Sequence, residues 1–239
     1  MQTTEEFTTS LKEALRKHPT LHHPIILKLS NTQSPHPQLL RLLALQGYQL
    51  TKEFSRYIAA LMVYCPIEFR PRLATNLYEE ETGELSHSSN HYKLMHKFLD
   101  GLGITPEERE TALPLPTTKE LIDYRWKLAL SPSLFHQAAA SIFIGSEGQN
   151  LEKREGKSRY DLLLAIAPTY GFKDEHLEFF KIHTKEDEYH FKDGLDILSA
   201  VCTTASKQNE AIETVTITCQ KFQKFFDGIE KAYLQAPQN

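Results

Sequence analysis

Cysteine is scarce in this sequence and never closely paired. Only three of its 239 residues are cysteines, Cys65, Cys202 and Cys219, and no two of them form a CxxC pair. This wide spacing argues against both a disulfide framework and a thiolate zinc site. We therefore expect a protein of a reducing compartment, the cytoplasm.

Long apolar runs and an excess of one charge are also missing. No apolar run approaches the roughly 18 residues of a membrane span, and the segment MQTTEEFTTSLKEAL is acidic and amphipathic, unlike a signal peptide. The formal net charge is −4, with acids and bases interspersed. This pattern argues against nucleic acid or a membrane surface as partner. We expect a small-molecule substrate, and a homodimer is one assembly compatible with the sequence.

The alternating pattern of β-strands is hard to find, whereas apolar residues recur at three- and four-residue intervals almost throughout. Segment 38–64 carries a broad apolar face, and segment 206–234 keeps helical spacing despite the β-branched run from Thr214 to Thr218. Proline and glycine punctuation leaves about eight helices. The sequence predicts an all-α helical bundle, with residues 1–239 forming a single domain.

A histidine- and acid-rich stretch, FFKIHTKEDEYHF, lies late in the chain. Its His183, Asp187 and His190 stand at i, i+4 and i+7. Because each helical residue advances by about 100°, the three side chains share one stripe of a helix. Two imidazoles and a carboxylate would then point into one volume. The spacing predicts part of a metal site, and the alternative is a solvated polar face.

The segment NLYEEETGELSHSSNHY offers a second group of ligands. Glu80 and His87 are seven residues apart and share a face if their helix continues, but Gly83 is a residue at which it can end. Glu84 and His87 have the Glu-x-x-His spacing of ferritin-like diiron bundles. His87 and His91, at i and i+4, have the spacing of a zinc-binding pair. Spacing alone leaves these choices open.

Glu147 ends an otherwise apolar helical run in AAASIFIGSEGQN. A carboxylate there is costly unless it reaches solvent at the helix end or meets a cation, and the sequence permits both. Three carboxylates and three imidazoles from three helices form a mixed oxygen and nitrogen set. Such a set suits two iron or manganese ions better than a structural zinc ion.

These residues carry a resemblance to a known family. The succession Glu80-x6-His87, Glu147 and His183-x3-Asp187-x2-His190 resembles the ligand signature of haem-oxygenase-like diiron oxidases, which are related to pyrroloquinoline-quinone-synthesis and thiaminase-like proteins. Through NLYEEETGELSH and HTKEDEYH the chain is most similar to the para-aminobenzoate-forming members. The resemblance implies a haem-oxygenase-like bundle, an oxidoreductase with O2 as co-substrate, and two Fe ions, or Mn in their place. The implied ligands are Glu80, His87, Glu147, His183, Asp187 and His190.

Further positions bear on the para-aminobenzoate-forming members. Lys157, ten residues after Glu147, matches a lysine implicated in those members, which implies a catalytic role inside the pocket. Two positions depart from them: Ser146 replaces a tyrosine before the third ligand, and the N-terminal tyrosine that they consume aligns near Ile26. Self-modification would then need another tyrosine, such as Tyr48, Tyr57 or Tyr78.

The function expected from this pattern is that of an O2-activating non-haem diiron oxidase or oxygenase. Its substrate would be a small carboxylate or an amino-acid-derived molecule, with Lys157 or Arg154 as a carboxylate partner. One alternative is a self-modifying enzyme resembling the para-aminobenzoate synthases. Another is a non-catalytic protein-interaction module that keeps the metal for stability.

Overall fold

The structure is a computed structural model that describes residues 1–236, and for residue 185 the backbone alone. Its helices are α1 (Thr4–Arg16), α2 (Pro24–Leu29), α3 (Pro37–Tyr64), α4 (Arg70–Thr82), α5 (His91–Gly101), α6 (Pro106–Thr111), α7 (Pro116–Ala129), α8 (Phe135–Ala139), a π-helical segment (Ala140–Glu147), α9 (Gly148–Leu151), α10 (Arg159–Ile166), α11 (Glu178–Val201) and α12 (Ala205–Gln235). Short 3-10 turns occupy Thr20–His22, Ile67–Phe69, Pro132–Leu134, Ala167–Tyr170 and Asp174–Leu177.

The predicted all-α class is confirmed. Within residues 1–236 the extended pairing amounts to one isolated antiparallel bridge, between Arg154 and Lys157. The β-branched run starting at Thr214 lies inside α12, and the face predicted for 38–64 forms α3. Apolar periodicity does not predict short helices such as α2 and α6, because six residues are too few to define a helical face.

Helix ends follow local hydrogen-bonding chemistry. Thr3 and Ser158 begin α1 and α10 with reciprocal capping boxes, in which the side-chain oxygen accepts from a backbone N–H that lacks an intrahelical partner. Gly83 ends α4 in the left-handed conformation, with φ +70°. These signals set where the chain turns, and the Gly83 turn lies next to the candidate site.

The core consists of two apolar clusters that share long helices. One gathers side chains from α1, α3, α8, the π-helical segment, α11 and α12. The other gathers α2, α3, α5, the end of α11 nearest Glu178, and the later turns of α12. The π-helical segment packs against α11 and α12 and is buried at every position. Glu147 therefore ends a segment that lies in the interior of the bundle.

Close helix packing around the π-helical segment depends on two glycines. A Cβ at Gly145 would lie 2.8 Å from Cβ of Thr218 on α12, and a Cβ at Gly194 on α11 would collide with Phe143. Both helices consequently approach the segment closely, which brings α11 beside Glu147. No single helix in the described part of the chain has the length and apolar character of a membrane span, and only Pro116–Ala129 with Pro132–Leu151, bent by 103°, reach them together.

Candidate metal centre

The acid- and histidine-rich face of α11 points into the bundle. His183, Asp187 and His190 are only 9%, 1% and 6% exposed. Their i, i+4, i+7 spacing aligns them on one helical stripe, and the surrounding helices cover that stripe. These three side chains are distributed between two groups of potential metal ligands.

The first group, which we call triad 1, consists of Glu80, His91 and His183. Each residue offers one ligand atom, and these atoms lie within 4.8 Å of one another. The carboxylate of Glu80, near the end of α4, lies 2.6 Å from Nδ1 of His91, the first residue of α5. All three residues are buried. Triad 1 thus joins three helices through one carboxylate and two imidazoles.

The second group, triad 2, consists of Glu147, Asp187 and His190. Its ligand atoms also lie within 4.8 Å of one another, and Oε1 of Glu147 lies 3.1 Å from Nδ1 of His190. Glu147 is 4% exposed, so the solvent-exposed alternative does not apply. A short π-helical stretch is frequent at functional sites because it changes the direction of side chains along a helix. Here it delivers a carboxylate to α11.

The prediction of His87 as a ligand needs correction, because the structure brings His91 and not His87 beside Glu80. The expected seven-residue register required a continuous helix, but α4 ends at Thr82 and the chain turns at Gly83. His87 lies in that turn, exposed and with φ +55°. Glu84 is exposed as well, and its carboxylate accepts from the Tyr78 hydroxyl.

Glu79 holds this turn in place. Its buried carboxylate accepts a hydrogen bond of 2.8 Å from the backbone N–H of Leu85 and further bonds from the N–H and hydroxyl of Ser86. The chain after Gly83 is thereby folded back so that α5 starts against α4. Adjacent acids in the sequence therefore differ in role: Glu79 orders the turn, and Glu80 faces the other ligands.

Two buried atoms indicate that these residues fit a metal ion. Nε2 of His91 and Oε2 of Glu147 are both buried and have no hydrogen-bonding partner among the described residues. Such atoms are costly unless they bind something. One belongs to each triad, and both are atoms that ligate iron or manganese. Imidazole nitrogens and carboxylate oxygens without thiolates match redox-active divalent iron better than a structural zinc site.

The electrostatics of the triads differ. In triad 1, burial opposes ionisation of Glu80, but the facing His91 outweighs it and lowers the pKa of Glu80 below the ordinary value. Burial also opposes the charge on His91, yet the Glu80 carboxylate raises the pKa of that imidazole. Burial lowers the pKa of His183 to about 3, so this imidazole is neutral and free to ligate.

Triad 2 contains two carboxyl groups and only one imidazole. Burial raises the pKa of Glu147 to about 7 and, together with the Glu147 charge, raises the pKa of Asp187 well above its ordinary value. Burial opposes the charged form of His190, but the Glu147 carboxylate outweighs it and raises the pKa of His190 to about 10. One imidazolium cannot neutralise two buried carboxylates, and a divalent cation does so.

Hydrogen bonds outside the triads orient their ligands. Nδ1 of His183 lies 2.7 Å from the carbonyl oxygen of Phe179. Because a carbonyl only accepts, Nδ1 carries the proton and Nε2 is left for a metal. The Asn150 amide donates to Oδ2 of Asp187 at 2.8 Å and to the Tyr160 hydroxyl at 2.7 Å. Burial raises the pKa of Tyr160 well above its ordinary value, so its phenol stays protonated.

An internal cavity of about 250 Å³ opens onto these ligands. Glu80, Glu147, His183 and Asp187 lie at its wall, and most of the remaining wall is aliphatic or aromatic. The apolar part comes from α2, α3, α5, α10, α11 and α12, including Leu40, Leu43, Met95, Leu163, Phe180 and Phe225. Candidate metal ligands at the wall of an apolar cavity would give a small molecule direct access to a bound metal while limiting water.

A family model described as iron-containing redox enzyme matches residues 41–221 of this chain. This span contains all six residues of the two triads. The chain belongs to the family of iron-containing redox enzymes.

Two curated relatives are both named 4-aminobenzoate synthase. The protein from Chlamydia trachomatis is 27% identical over 221 residues, covering 90% of this chain and 90% of the relative. The protein from Chlamydia muridarum is 26% identical over 184 residues, covering 76% of each. Enzymatic function is therefore the common feature of the family description and of both relatives.

Solved structures with this fold belong to proteins that are described in different ways. A CADD-like protein of unknown function from Nostoc punctiforme has a TM-score of 0.76 at 13% identity, covering 97% of this chain and 99% of that one. A TenA homologue from Pseudomonas syringae has a TM-score of 0.73 at 16% identity, covering 95% and 92%. A haem-oxygenase-like domain from Shewanella denitrificans has a TM-score of 0.69 at 18% identity, covering 96% and 91%. The predicted haem-oxygenase-like fold is confirmed.

The resemblance implied that Lys157 lies inside the pocket, but the structure has Lys157 at the surface. Lys157 pairs through its backbone with Arg154 across a two-residue turn, where Glu155 and Gly156 both have positive φ. This hairpin directs Lys157 to the surface, where it is exposed and away from the cavity wall. Arg154 is likewise absent from the wall, and its guanidinium donates to the Leu21 carbonyl.

The cavity wall contains polar residues that were not among the predicted site residues: Arg125, Ser146, Asn150, Arg159 and Tyr160. Arg125 lies in α7, far from the ligand motifs along the chain, and no spacing rule connects it to them. Arg159 and Tyr160 begin α10, immediately after the hairpin that carries Lys157. The capping box at Ser158 was a sequence signal for that helix start.

Proposed function

We propose that this chain is a non-haem diiron enzyme that activates O2 to oxidise or oxygenate a small organic molecule in its cavity. One observation carries the proposal: two buried triads, each with an orphaned ligand atom, lie side by side along α11 and face an apolar cavity. Membership of the iron-containing redox family supports iron rather than another metal. Manganese in place of iron is the alternative that metal analysis decides.

The residues of the chain have separate tasks in this proposal. Triad 1 and triad 2 would each hold one iron ion, and bound iron supplies O2 redox chemistry that side chains lack. The Phe179 carbonyl fixes the His183 tautomer, and Asn150 fixes Asp187. The apolar wall excludes water and strengthens the electrostatic interactions inside the cavity.

The proposed substrate is a small carboxylate or an amino-acid-derived molecule. A cavity of about 250 Å³ favours a molecule of modest size, and its largely apolar wall favours one with a hydrocarbon or aromatic body. The fold itself does not name a substrate. The metal chemistry can therefore be tested before a substrate is known.

The decisive experiment is anaerobic Fe(II) loading of the full chain, followed by metal analysis and by stopped-flow absorption on mixing with O2. We expect close to two irons per chain and an O2-dependent absorption change. Glu147→Gln should lose that change, since it removes a charged ligand from triad 2. The exposed Glu84→Gln makes the same substitution outside the site and should behave as the unsubstituted chain. A tightly bound, redox-silent metal would support the interaction module instead.

A second candidate, self-modifying formation of 4-aminobenzoate, is favoured by one specific observation. Tyr160 lies at the cavity wall, and its ring centroid is 5.9 Å from that of the candidate ligand His183. Both curated relatives carry the name 4-aminobenzoate synthase. Tyr48, Tyr57 and Tyr78 are absent from the wall, so Tyr160 is the tyrosine placed for such a reaction.

Intact-mass and peptide-mass analysis of the iron-loaded chain after O2 exposure tests this second candidate. A mass loss located at Tyr160, together with released 4-aminobenzoate, would support self-modification. An unchanged Tyr160 after complete iron oxidation would eliminate it and leave the diiron proposal standing.

A further inference from the structure

Two arginines at the cavity wall lack an acidic partner. Arg125 is only 2% exposed, and Nε of both Arg125 and Arg159 is buried without a hydrogen-bonding partner. Arg125 donates to the Ser146 hydroxyl and Arg159 to the Thr20 hydroxyl. Among the side chains that the structure describes, no carboxylate forms an ion pair with either guanidinium.

The two guanidinium groups lie against successive turns of α12. Arg125 lies over the Phe222 ring at 4.9 Å from its centroid, and Arg159 lies over the Phe226 ring at 5.3 Å. These rings are four residues apart, about one helical turn of 5.4 Å along the same face. Contact with the rings partly compensates each cation. Two cations nevertheless lie at the wall of a largely apolar cavity.

This arrangement is costly for the protein alone. Guanidinium groups stay protonated at any physiological pH, so the buried Arg125 and the half-buried Arg159 lose hydration without a contacting counter-ion to replace it. The unfilled Nε donors add to that cost. Sites of this kind are found where a ligand supplies the missing anion, and the planar guanidinium fork matches a carboxylate.

We propose that Arg125 and Arg159 bind the carboxylate of an amphipathic acid whose apolar body fills the rest of the cavity. This inference rests on the proposed function, because it assigns the substrate class of the same cavity. It replaces Lys157 and Arg154 as carboxylate partners. A phosphate dianion fits less well, since it has no apolar body to fill the largely apolar remainder of the cavity.

The cavity size favours an acid of modest length. A volume of about 250 Å³ with a largely apolar wall suits a molecule that joins one carboxylate to a short hydrocarbon chain. Octanoate is therefore a suitable probe, and 1-octanol has the same chain without the charge. Their comparison isolates the contribution of the carboxylate.

A competing explanation assigns the arginines to the metal ligands. The Arg125 charge interacts with Glu147, and the Arg159 charge interacts with Asp187, although neither pair is in contact. On that explanation the arginines only hold the carboxylates ionised. Their loss would then lower iron content, and octanoate would bind no better than 1-octanol.

The test is isothermal titration calorimetry of octanoate and 1-octanol with the anaerobic Fe(II)-loaded chain. We expect octanoate to bind at least about tenfold more tightly than 1-octanol. Arg125→Gln and Arg159→Gln should each weaken octanoate by about tenfold or more, leave 1-octanol within about twofold, and retain iron. The matched control is Arg16→Gln, at a side chain that is 66% exposed. It should change neither affinity.

Equal affinities for octanoate and 1-octanol would overturn the inference, as would tighter binding of inorganic phosphate or a parallel loss of iron and octanoate. If Arg125→Gln fails to fold, Arg159→Gln and the probe comparison in the unsubstituted chain still decide. The titration uses no O2. Failure of octanoate with intact iron oxidation rejects only this subsite, and octanoate binding without iron oxidation rejects only the proposed diiron function.

Discussion

Triad 1 and triad 2 are built from the same helix but differ in charge and in construction. Triad 1 has one carboxylate for two imidazoles, and Glu80 and His91 stabilise each other's charged forms. Triad 2 has two carboxylates for one imidazole, and both carboxyl groups resist ionisation. Triad 1 is therefore largely balanced in charge by its own residues, whereas triad 2 is arranged for a cation that the chain does not supply.

The two triads also depend on different parts of the backbone. Triad 2 comes from continuous helix on both sides, through the π-helical segment and α11. Triad 1 depends on the turn after Gly83, which sets where α5 begins. A regular helical motif and a turn-dependent ligand can thus form one site, although different substitutions disrupt them.

The largest expected effect distinguishes the two histidines of the turn region. His91→Ala removes an imidazole from triad 1 and should lower iron affinity there by well over tenfold, since even groups that only support a ligand contribute about 10–100-fold. His87→Ala, at an exposed position four residues earlier, should retain both irons. Iron content after anaerobic loading and desalting measures both. Iron loss in His87→Ala with retention in His91→Ala would restore the original assignment.

A second pair of variants tests the charge difference in the metal-free protein. The pKa of Glu80 is lowered in the fold, so its stabilisation is present above its unfolded value of 4.5 and is lost as pH falls. Glu80→Gln removes the carboxylate that pairs with the buried His91 and should destabilise by about 1.5–3 kcal/mol at pH 7, the range of a hydrogen bond to a charged group.

Asp187→Asn should have the opposite sign. The pKa of Asp187 is raised, so ionising it costs stability once the pH exceeds its unfolded value of 3.8. The amide removes that cost at pH 7 and should raise Tm by at least about 2 °C, the shift expected from about 1 kcal/mol in a chain of this size. Thermal unfolding at pH 7 and pH 4 measures both variants. Equal destabilisation by the two would remove the distinction between the triads.

A third pair tests the dependence of triad 1 on its turn. Gly83→Ala places a Cβ at φ +70° against the Ser89 backbone, and should destabilise by about 1–3 kcal/mol and lower iron content. Gly156→Ala has a similar φ of +80° but nothing within 4 Å of the added Cβ. It should cost only about 1 kcal/mol and leave iron unchanged. Denaturant unfolding measures the cost of backbone strain in both variants. Metal analysis shows whether His91 has also been displaced.

The smallest expected effect is that of Lys157→Ala. Lys157 follows triad 2 closely in sequence but lies exposed on the hairpin, so the variant should keep both irons and oxidise them within about twofold of the unsubstituted rate. The exposed position of Lys157 predicts near-normal product formation as well, whereas the catalytic role implied by the family resemblance would retain and oxidise iron but lower product formation by at least roughly tenfold. Stopped-flow oxidation and a product assay decide. A tenfold loss would show that the hairpin closes over the cavity during turnover.

The sequence by itself determined the helical class and the stripe of ligands on α11. Both are local: apolar periodicity specifies a helical face, and i, i+4, i+7 spacing aligns side chains whatever surrounds them. Gly83 also carried a readable signal for a helix end. The seven-residue spacing from Glu80 to His87 required the helix to continue past Gly83. In the structure the helix ends there, as the local signal predicts.

Only the tertiary structure decided which residues meet across the bundle. Glu80 and His91 come together because the Glu79 carboxylate folds the turn back, a contact that no periodicity encodes. Arg125 reaches the cavity because α7 packs against α12, far from the ligand motifs in sequence. The two-residue turn at Glu155 and Gly156 directs Lys157 outward, so that nearness to Glu147 in sequence does not become nearness in space. Helix periodicity fixes which face of each helix is presented, while the turns and the packing between helices fix which faces meet.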